Sequence, residues 1–205
     1  MQNASHTIRE ELSYIFLFIG AIWAVFFLSC FFQSLDNCGV VPRTVTGLIG
    51  IPLSIFLHAN IHHLFGNTIP LFFLLALLAG SKARSWEIVL YVALLGGSLL
   101  WAFGRSMVNG QLADHIGASG LIFGLIAFLI VSGFREGRVV PLLISLVVGF
   151  FYGGTLLAGV LPSIGSNVSW DGHLCGAIAG GLVAYVLTKE TNEPKVQKES
   201  CNQLS

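Results

Sequence analysis

The chain has 205 residues, of which 55% are hydrophobic and only 10% are charged, whereas a soluble domain carries roughly 25% charged residues. So little charge cannot cover a water-facing surface, and the composition therefore predicts that lipid surrounds most of the chain. A formal net charge of zero gives no basic surface for nucleic acid, and four scattered cysteines form neither a CxxC metal signature nor a disulfide framework.

Six apolar runs predict membrane-spanning helices, because a span needs about 20 mostly apolar residues. Lipid offers no hydrogen-bond partner, so each run must satisfy its own backbone as a helix. In chain order, spans one to six are Leu12–Phe32, Ser54–Ala79, Trp86–Met107, Gly117–Phe134, Val139–Leu161 and Gly172–Leu187. The first run is preceded by Glu10 and Glu11 and lacks a small-x-small cleavage site, so it is not interpreted as a cleavable signal.

The basic residues predict the orientation of this all-α, six-helix membrane bundle. With the N-terminus inside, eight Lys and Arg residues fall on the inner side and only Arg43 and Arg105 on the outer side. The positive-inside rule then places both termini in the cytoplasm. The predicted organisation is a short cytoplasmic N-terminus (1–11), a six-helix domain (12–188) and a polar, disordered cytoplasmic tail (189–205).

Two connections on the predicted outer side stand out. Ser34–Leu53 is the longest and mixes apolar residues with Gly and Pro, which favours a structured loop in the membrane interface. Pro162–Asp171 is rich in Ser and Gly. It is interpreted either as a movable gate or as an ordinary connector.

Strongly polar side chains inside a membrane are costly and are therefore candidates for function. Ser119 and His173 each lie sixteen residues before a basic residue at the inner end of their span, about 24 Å above the inner face at ~1.5 Å per residue. By the same rise per residue, Asn67 lies about 22 Å and His63 about 28 Å above the inner face. These groups are predicted to share one layer, in a water-filled pocket that opens outward.

Small residues four apart are predicted to bring spans four and six together, because they let membrane helices approach closely. The pairs are Gly120 and Gly124 on span four and Gly176 and Gly180 on span six. If these faces pack, Ser119 lies beside His173, and an adjacent imidazole is what a serine nucleophile needs. The alternative is that the glycines serve helix packing alone and the Ser and His are incidental.

His63 and Asn67 share one face of span two, since they are four residues apart. Together with the free backbone N–H of Ser119 at a helix start, they form a candidate oxyanion hole. The alternative is that both side chains only hydrogen-bond neighbouring helices.

The ordered motifs resemble a known family. The pattern His58-x3-His62-His63-x3-Asn67, then Gly117-x-Ser119-Gly120, then His173-x2-Gly176-x3-Gly180, is similar to that of the rhomboid intramembrane serine proteases, over roughly residues 42–187. The resemblance implies a Ser119–His173 dyad with His63, Asn67 and the Ser119 N–H as oxyanion donors. It further implies support from His58, Gly117, Gly120, Gly176 and Gly180.

The resemblance also implies an activity: cleavage of transmembrane segments of membrane proteins near the outer bilayer boundary, without metal or cofactor. Substrates and the lipid bilayer are then the partners, and a bacterial inner membrane is the expected location for so compact a form. Many members carry a Trp-Arg pair in the first outer loop, where this chain has Pro42-Arg43. His62 is given no catalytic role, and Asp171 is predicted to cap span six.

Four other functions compete with proteolysis by a dyad. His58 and His62 have the spacing of an HExxH metalloprotease, but Ala59 replaces the Glu base. His63 and His173 are candidate haem ligands on two helices. A non-catalytic rhomboid relative would bind membrane clients, although such relatives generally lack the Ser or the His. A transporter is disfavoured, since no inverted pair of broken helices is visible.

Overall fold

The computed structural model describes residues 8–82, 84–162 and 168–188. These ranges form seven α-helices, two short 3-10 helices and one hairpin. The α-helices are α1 (Ile8–Phe31), α2 (Gly47–Leu53), α3 (Ile61–Ser81), α4 (Ser85–Phe103), α5 (Ser119–Glu136), α6 (Val139–Gly159) and α7 (Trp170–Leu187). The 3-10 helices cover Gln33–Asn37 and Ser54–Phe56, and β1 (Met107–Val108) pairs with antiparallel β2 (Gln111–Leu112).

Six of these helices are long and apolar enough to cross a membrane, namely all except α2. The predicted all-α, six-span architecture is therefore confirmed. The predicted disordered tail (189–205) and half of the predicted gate segment (163–167) lie outside the described residues. The helix α1 begins at Ile8, four residues before the predicted run, and includes a buried Glu11 that accepts a 2.9 Å hydrogen bond from Ser85 Oγ.

The predicted start of span two at Ser54 is wrong. The helix α3 begins at Ile61, because Asn60 has an extended backbone and its side chain accepts a 2.9 Å hydrogen bond from the N–H of His63. Asn is among the strongest helix N-caps. The residues before it belong instead to a 3-10 helix, Ser54–Phe56, and to a short non-helical stretch that carries His58.

The helix α5 lies at the centre of the bundle. It packs most extensively against α7, then against α6, α4 and α3, and its buried residues include Phe128, Leu125 and Ile126. By contrast, α1 and α6 expose large apolar side chains such as Phe150 and Phe151. Large apolar side chains on the outside of the bundle fit an outer surface that is solvated by lipid.

Backbone-to-backbone contact joins α5 and α7. A Cβ atom added to Gly176 would collide with the carbonyl oxygen of Gly120, and one added to Gly180 would collide with that of Gly124. The two glycine faces predicted to pack do pack. This contact brings the first turns of α5 and α7 side by side.

Polar contacts distinguish the two ends of the bundle. At the end called here the basic end, Lys82 forms an ion pair with Glu136, and Arg135 donates to the carbonyl of Thr188 at 3.3 Å. The other end, called the site end, contains the first turns of α5 and α7, and the segment after α4 with its hairpin.

The first long loop is anchored to α4 at the site end. Arg43, with a positive φ of 60°, donates to the carbonyls of Ala102 at 3.0 Å and Gly104 at 2.9 Å, and to Ser106 Oγ. In return, Trp101 Nε1 on α4 donates to the carbonyl of Thr44 at 2.8 Å. A Trp and an Arg from two elements thus hold the loop in a chain that lacks the adjacent Trp-Arg pair.

Candidate active site

A direct contact joins Ser119 and His173. Ser119 is the first residue of α5 and His173 lies in the first turn of α7, and His173 Nε2 is 3.0 Å from Ser119 Oγ. The imidazole is buried and the serine is half-buried. The arrangement places a hydroxyl beside a nitrogen base, which is the geometry that activates a serine for attack.

The second ring nitrogen fixes which tautomer faces the serine. His173 Nδ1 lies 3.0 Å from the carbonyl oxygen of Gly159, the last residue of α6. A carbonyl oxygen only accepts, so Nδ1 carries the proton and neutral Nε2 is left with a lone pair toward Ser119. The Phe123 ring, one turn after Ser119 on α5, stacks on the imidazole with centroids 4.0 Å apart and an interplanar angle of 5°.

A sharp backbone turn presents Ser119. Gly117 has a φ of 116°, a conformation that favours glycine, and its N–H donates to the carbonyl of Ser54 at 2.8 Å. The helix starts directly after the N-cap Ala118, so the N–H groups of its first turn have no partner within the helix. They lie beside the serine hydroxyl.

The three predicted polar groups of the second span form one cluster. Asn67 Nδ2 donates to His58 Nε2 at 3.0 Å, and the His58 and His63 rings meet edge to face with centroids 5.1 Å apart. A Cβ atom added to Gly117 would lie 2.7 Å from His63 Nε2 and 3.5 Å from Asn67 Nδ2. The two side chains therefore border the turn that presents Ser119.

A small cavity of about 40 Å³ lies on the other side of Ser119. Its walls include Gly117, His115, Ser169 and, from α4, Val92. A cavity needs roughly 10–15 Å³ of such volume to hold one water molecule. Space for water or a small substrate group thus adjoins the serine.

The prediction that Asp171 caps the last span is wrong. The N-cap of α7 is Ser169, whose Oγ accepts a 3.2 Å hydrogen bond from the N–H of Gly172. Asp171 lies inside the first turn, and its carboxylate accepts instead from Arg105, at 2.8 Å from the backbone N–H and 3.0 Å from Nη2. An arginine charge nearby is a stronger partner than a neutral helix N–H.

Sequence reasoning missed four residues that surround the pair: Phe123, Gly159, Arg105 and His115. A carbonyl and an aromatic ring carry no motif, so Gly159 and Phe123 gave no signal. His115 did give one, because it is a histidine four residues before Ser119, but it lies in a polar loop outside the apolar runs.

Among the histidines that the structure describes, one is left, His62, which is exposed on α3. That it has no catalytic role stays a prediction. The metalloprotease alternative requires His58 and His62 on successive turns of one helix. His58 precedes the start of α3 at Ile61, and its Nε2 is already the acceptor for Asn67. This geometry disfavours that alternative.

Taken together, the fold and the site define a polytopic α-helical membrane protein with a paired Ser and His inside the bundle. The profile of the Rhomboid domain matches residues 43–190. The chain belongs to the rhomboid family.

The chain is similar to several other proteins, one of which is named as a putative rhomboid protein. The chain is 43% identical over 170 residues to an uncharacterized protein of Mycobacterium tuberculosis H37Rv, which covers 81% of this chain and 70% of the relative. It is 44% identical over 172 residues to an uncharacterized protein of Mycobacterium leprae, and the match covers 82% of this chain and 67% of that protein. A putative rhomboid protein of Acanthamoeba polyphaga mimivirus is 29% identical over 142 residues, and the match covers 67% of this chain and 74% of that protein.

Proposed function

We propose that the chain is an intramembrane serine endopeptidase that cleaves transmembrane segments of other membrane proteins with Ser119 as nucleophile and His173 as general base. The observation that carries this proposal is the 3.0 Å contact between Ser119 Oγ and Nε2 of His173. Membership of the rhomboid family supports the same reaction class.

In the proposed reaction, a substrate segment unwinds at the site end and presents a peptide carbonyl to Ser119. The serine oxygen attacks the carbonyl carbon while His173 Nε2 takes the hydroxyl proton. The imidazolium then gives this proton to the leaving amine, and a water molecule hydrolyses the acyl-enzyme by the same proton transfers in reverse. Because Gly159 accepts from Nδ1, the ring stays oriented through both steps.

The oxyanion formed in each step needs donors on the opposite side of the carbonyl from His173. The Ser119 N–H, His63 and Asn67 are the proposed donors. Asn67 Nδ2 has two protons, of which one is used by His58, so the second remains for the oxyanion. Each such donor contributes about 3 kcal/mol of transition-state stabilisation.

A fluorophosphonate probe tests the assignment of the nucleophile. The purified protein in liposomes should react with the probe, and mass spectrometry of the digested product should find the adduct on Ser119. The Ser119→Ala variant should lose labelling and should lose cleavage of a panel of single-pass membrane proteins reconstituted with it, while its unfolding temperature stays within a few degrees of the wild type. Proteolysis by a pure Ser119→Ala sample would refute the assignment, and the absence of labelling and cleavage in the wild type would favour a non-catalytic, client-binding rhomboid.

We also infer a location in a bacterial cell membrane, with both termini in the cytoplasm. The mycobacterial relatives support the bacterial membrane. The bias of Lys and Arg toward one side supports the orientation. In this orientation the site end faces outward, so substrates are cut near the outer boundary of the bilayer.

A further inference from the structure

A partly buried polar cluster lies beside the Ser119–His173 pair, and the proposed reaction uses none of its side chains. Its members are His115, Ser169, Asp171 and Arg105. His115 Nδ1 lies 2.7 Å from Ser169 Oγ, and Nε2 lies 3.1 Å from the carbonyl oxygen of Arg105. His115 is only 6% exposed. Burying polar groups is costly unless they are hydrogen-bonded, and the contacts within this cluster meet that need.

The backbone of His115 belongs to the segment that leads into the nucleophile. His115 exchanges two 3.0 Å backbone hydrogen bonds with Val40 of the first long loop, one through its N–H and one through its carbonyl. Only three residues separate His115 from Ser119, and one of them, Gly117, is held by the carbonyl of Ser54. The backbone that leads into the serine is therefore held at His115 and at Gly117.

Ser169, the partner of the His115 ring, belongs to the turn that carries the base. Its hydroxyl oxygen accepts from the N–H of Gly172 at 3.2 Å, and its carbonyl accepts from the N–H of His173 at 3.0 Å. The contact between His115 and Ser169 thus links the segment before Ser119 to the backbone of His173. With the contact between Ser119 and His173, these bonds form a closed ring.

Asp171 and Arg105 complete this cluster. The Asp171 carboxylate accepts from the N–H and Nη2 of Arg105, and its Oδ1 lies 3.2 Å from Ser169 Oγ. His115 Nε2 lies 3.8 Å from the other carboxylate oxygen. The Arg105 guanidinium also lies 5.0 Å from the ring centroid of Trp170. Each charge has a counterion, so the cluster acts as a rigid block that holds Ser169 in place.

We propose that His115 is a positioning residue, which holds Ser119 and His173 at reacting distance by joining the segment before the nucleophile to the first turn of α7 through Ser169. This inference rests on the proposed function. A small displacement of reacting groups is enough to lower a rate about 100-fold. Loss of the His115 ring should therefore slow the chemical step and leave binding in the site nearly unchanged.

The test measures the inactivation rate constant kinact and the binding constant KI of a fluorophosphonate probe with the full-length protein in detergent micelles, well below each variant's unfolding temperature. For His115→Ala we expect kinact to fall about 30-fold and KI to stay within about twofold. His115→Asn places an amide oxygen near the position of Nδ1, where it can accept a hydrogen bond from Ser169. This variant should recover kinact to within about fivefold of the wild type. The matched control is His62→Ala, an exposed histidine that should keep wild-type values.

Ser169→Ala gives a second test that does not depend on whether His115→Ala folds. It removes the hydroxyl that the His115 ring contacts, and kinact should fall about tenfold. Ser169→Ala also removes the acceptor for the Gly172 N–H. In the double variant the combined loss should be smaller than the product of the two single losses, because both substitutions break the contact between His115 and Ser169.

A folded His115→Ala or Ser169→Ala protein with wild-type kinact would overturn the inference while leaving the proposed function intact. The inference would also be overturned if His115→Asn restored the unfolding temperature of the wild type but not its kinact. Failure of the wild type to label at Ser119 would instead count against the proposed function itself.

Discussion

At the scale of single residues, three different contacts hold the imidazole of His173. The Gly159 carbonyl accepts from Nδ1, Ser119 lies at Nε2, and the Phe123 ring covers one face. None of the three partners is a carboxylate. In a Ser-His-Asp triad, by contrast, an aspartate accepts from the Nδ1 proton. In the proposed dyad, the base is therefore oriented by a backbone carbonyl and an aromatic ring.

The ring of Phe123 that stacks on His173 should restrain the orientation of the imidazole. Phe123→Leu keeps most of the apolar volume but removes the flat face, so His173 gains rotational freedom. The rate of fluorophosphonate labelling should fall about tenfold, whereas Phe123→Tyr should stay near the wild type. Phe128→Leu is the control, because Phe128 is fully buried on the same helix, nine residues after Ser119. Equal rates for folded Phe123→Leu and wild type would contradict the role of the ring.

Asp171 gives a second prediction at this scale. Asp171→Asn keeps an acceptor for Arg105 but removes the charge of a buried carboxylate. Breaking a buried pair costs about 3–5 kcal/mol, and since the Arg105 side chain is 31% exposed, we expect about 2 kcal/mol less stability. The turnover of the folded variant should stay within about fivefold of the wild type. A loss of turnover as large as that of His173→Ala would argue for a triad instead.

At the scale of secondary-structure elements, the contact between α5 and α7 decides the geometry of the site. Ser119 and His173 begin two different helices, so their separation depends on how closely those helices pack. The glycines at this contact leave no room for a side chain. Close packing of small residues is a main source of helix association in lipid.

Two neighbouring glycines of α7 provide a matched test of that packing. Gly180→Ala would place a Cβ atom against the carbonyl of Gly124, whereas Gly181 has nothing within 4 Å of an added Cβ. Gly180→Ala should destabilise the protein by about 1–3 kcal/mol and slow labelling of Ser119. Gly181→Ala should be neutral or stabilising by up to about 1 kcal/mol, because Ala favours helix.

Unfolding in mixed detergent micelles measures both glycine variants. Equal destabilisation by the two substitutions would show that close packing at Gly180 does not limit stability. A labelling rate that stays unchanged in a clearly destabilised Gly180→Ala protein would show that the site does not depend on this contact.

Sequence reasoning succeeded for these elements where a physical signal was local and failed where it was not. The apolar runs identified six spans, since lipid demands long helices. The start of α3 was misplaced because Ser54–Phe56 is as apolar as a helix, and only the Asn60 cap separates the two. Ser169 and Asp171 are both good capping residues, and only packing against Arg105 decides between them. The bond between His115 and Ser169 joins residues 54 apart in the chain, which no spacing rule anticipates.

At the scale of the whole molecule, the two ends of the bundle differ in chemistry. At the basic end, Lys82 pairs with Glu136 and Arg135 donates to the carbonyl of Thr188. Arg43 and Arg105 at the site end are both engaged with neighbouring backbone or carboxylate groups. The basic side chains at the two ends therefore have different kinds of partner.

The predicted orientation is testable in intact cells. In a background with all cysteines replaced by serine, Gln111→Cys in the hairpin of the site end should react with a membrane-impermeant maleimide. Arg138→Cys at the basic end should react only after the cells are opened, because the positive-inside rule places that end in the cytoplasm. Both positions are exposed in the structure, so access to the reagent is the variable. Labelling with the opposite pattern would reverse the assigned orientation.

The bond from His173 to Gly159 has a consequence for the timing of cleavage. Gly159 is the terminal residue of α6, and a carbonyl in a helix's last turn has no acceptor role within its own helix. If the end of α6 swings aside to admit a polypeptide, the base loses its restraint at that moment and regains it only when the helix returns. The bond then couples the conformation of α6 to activity. The base is poorly oriented while the end of α6 is displaced, and it is oriented for proton transfer once the helix has returned.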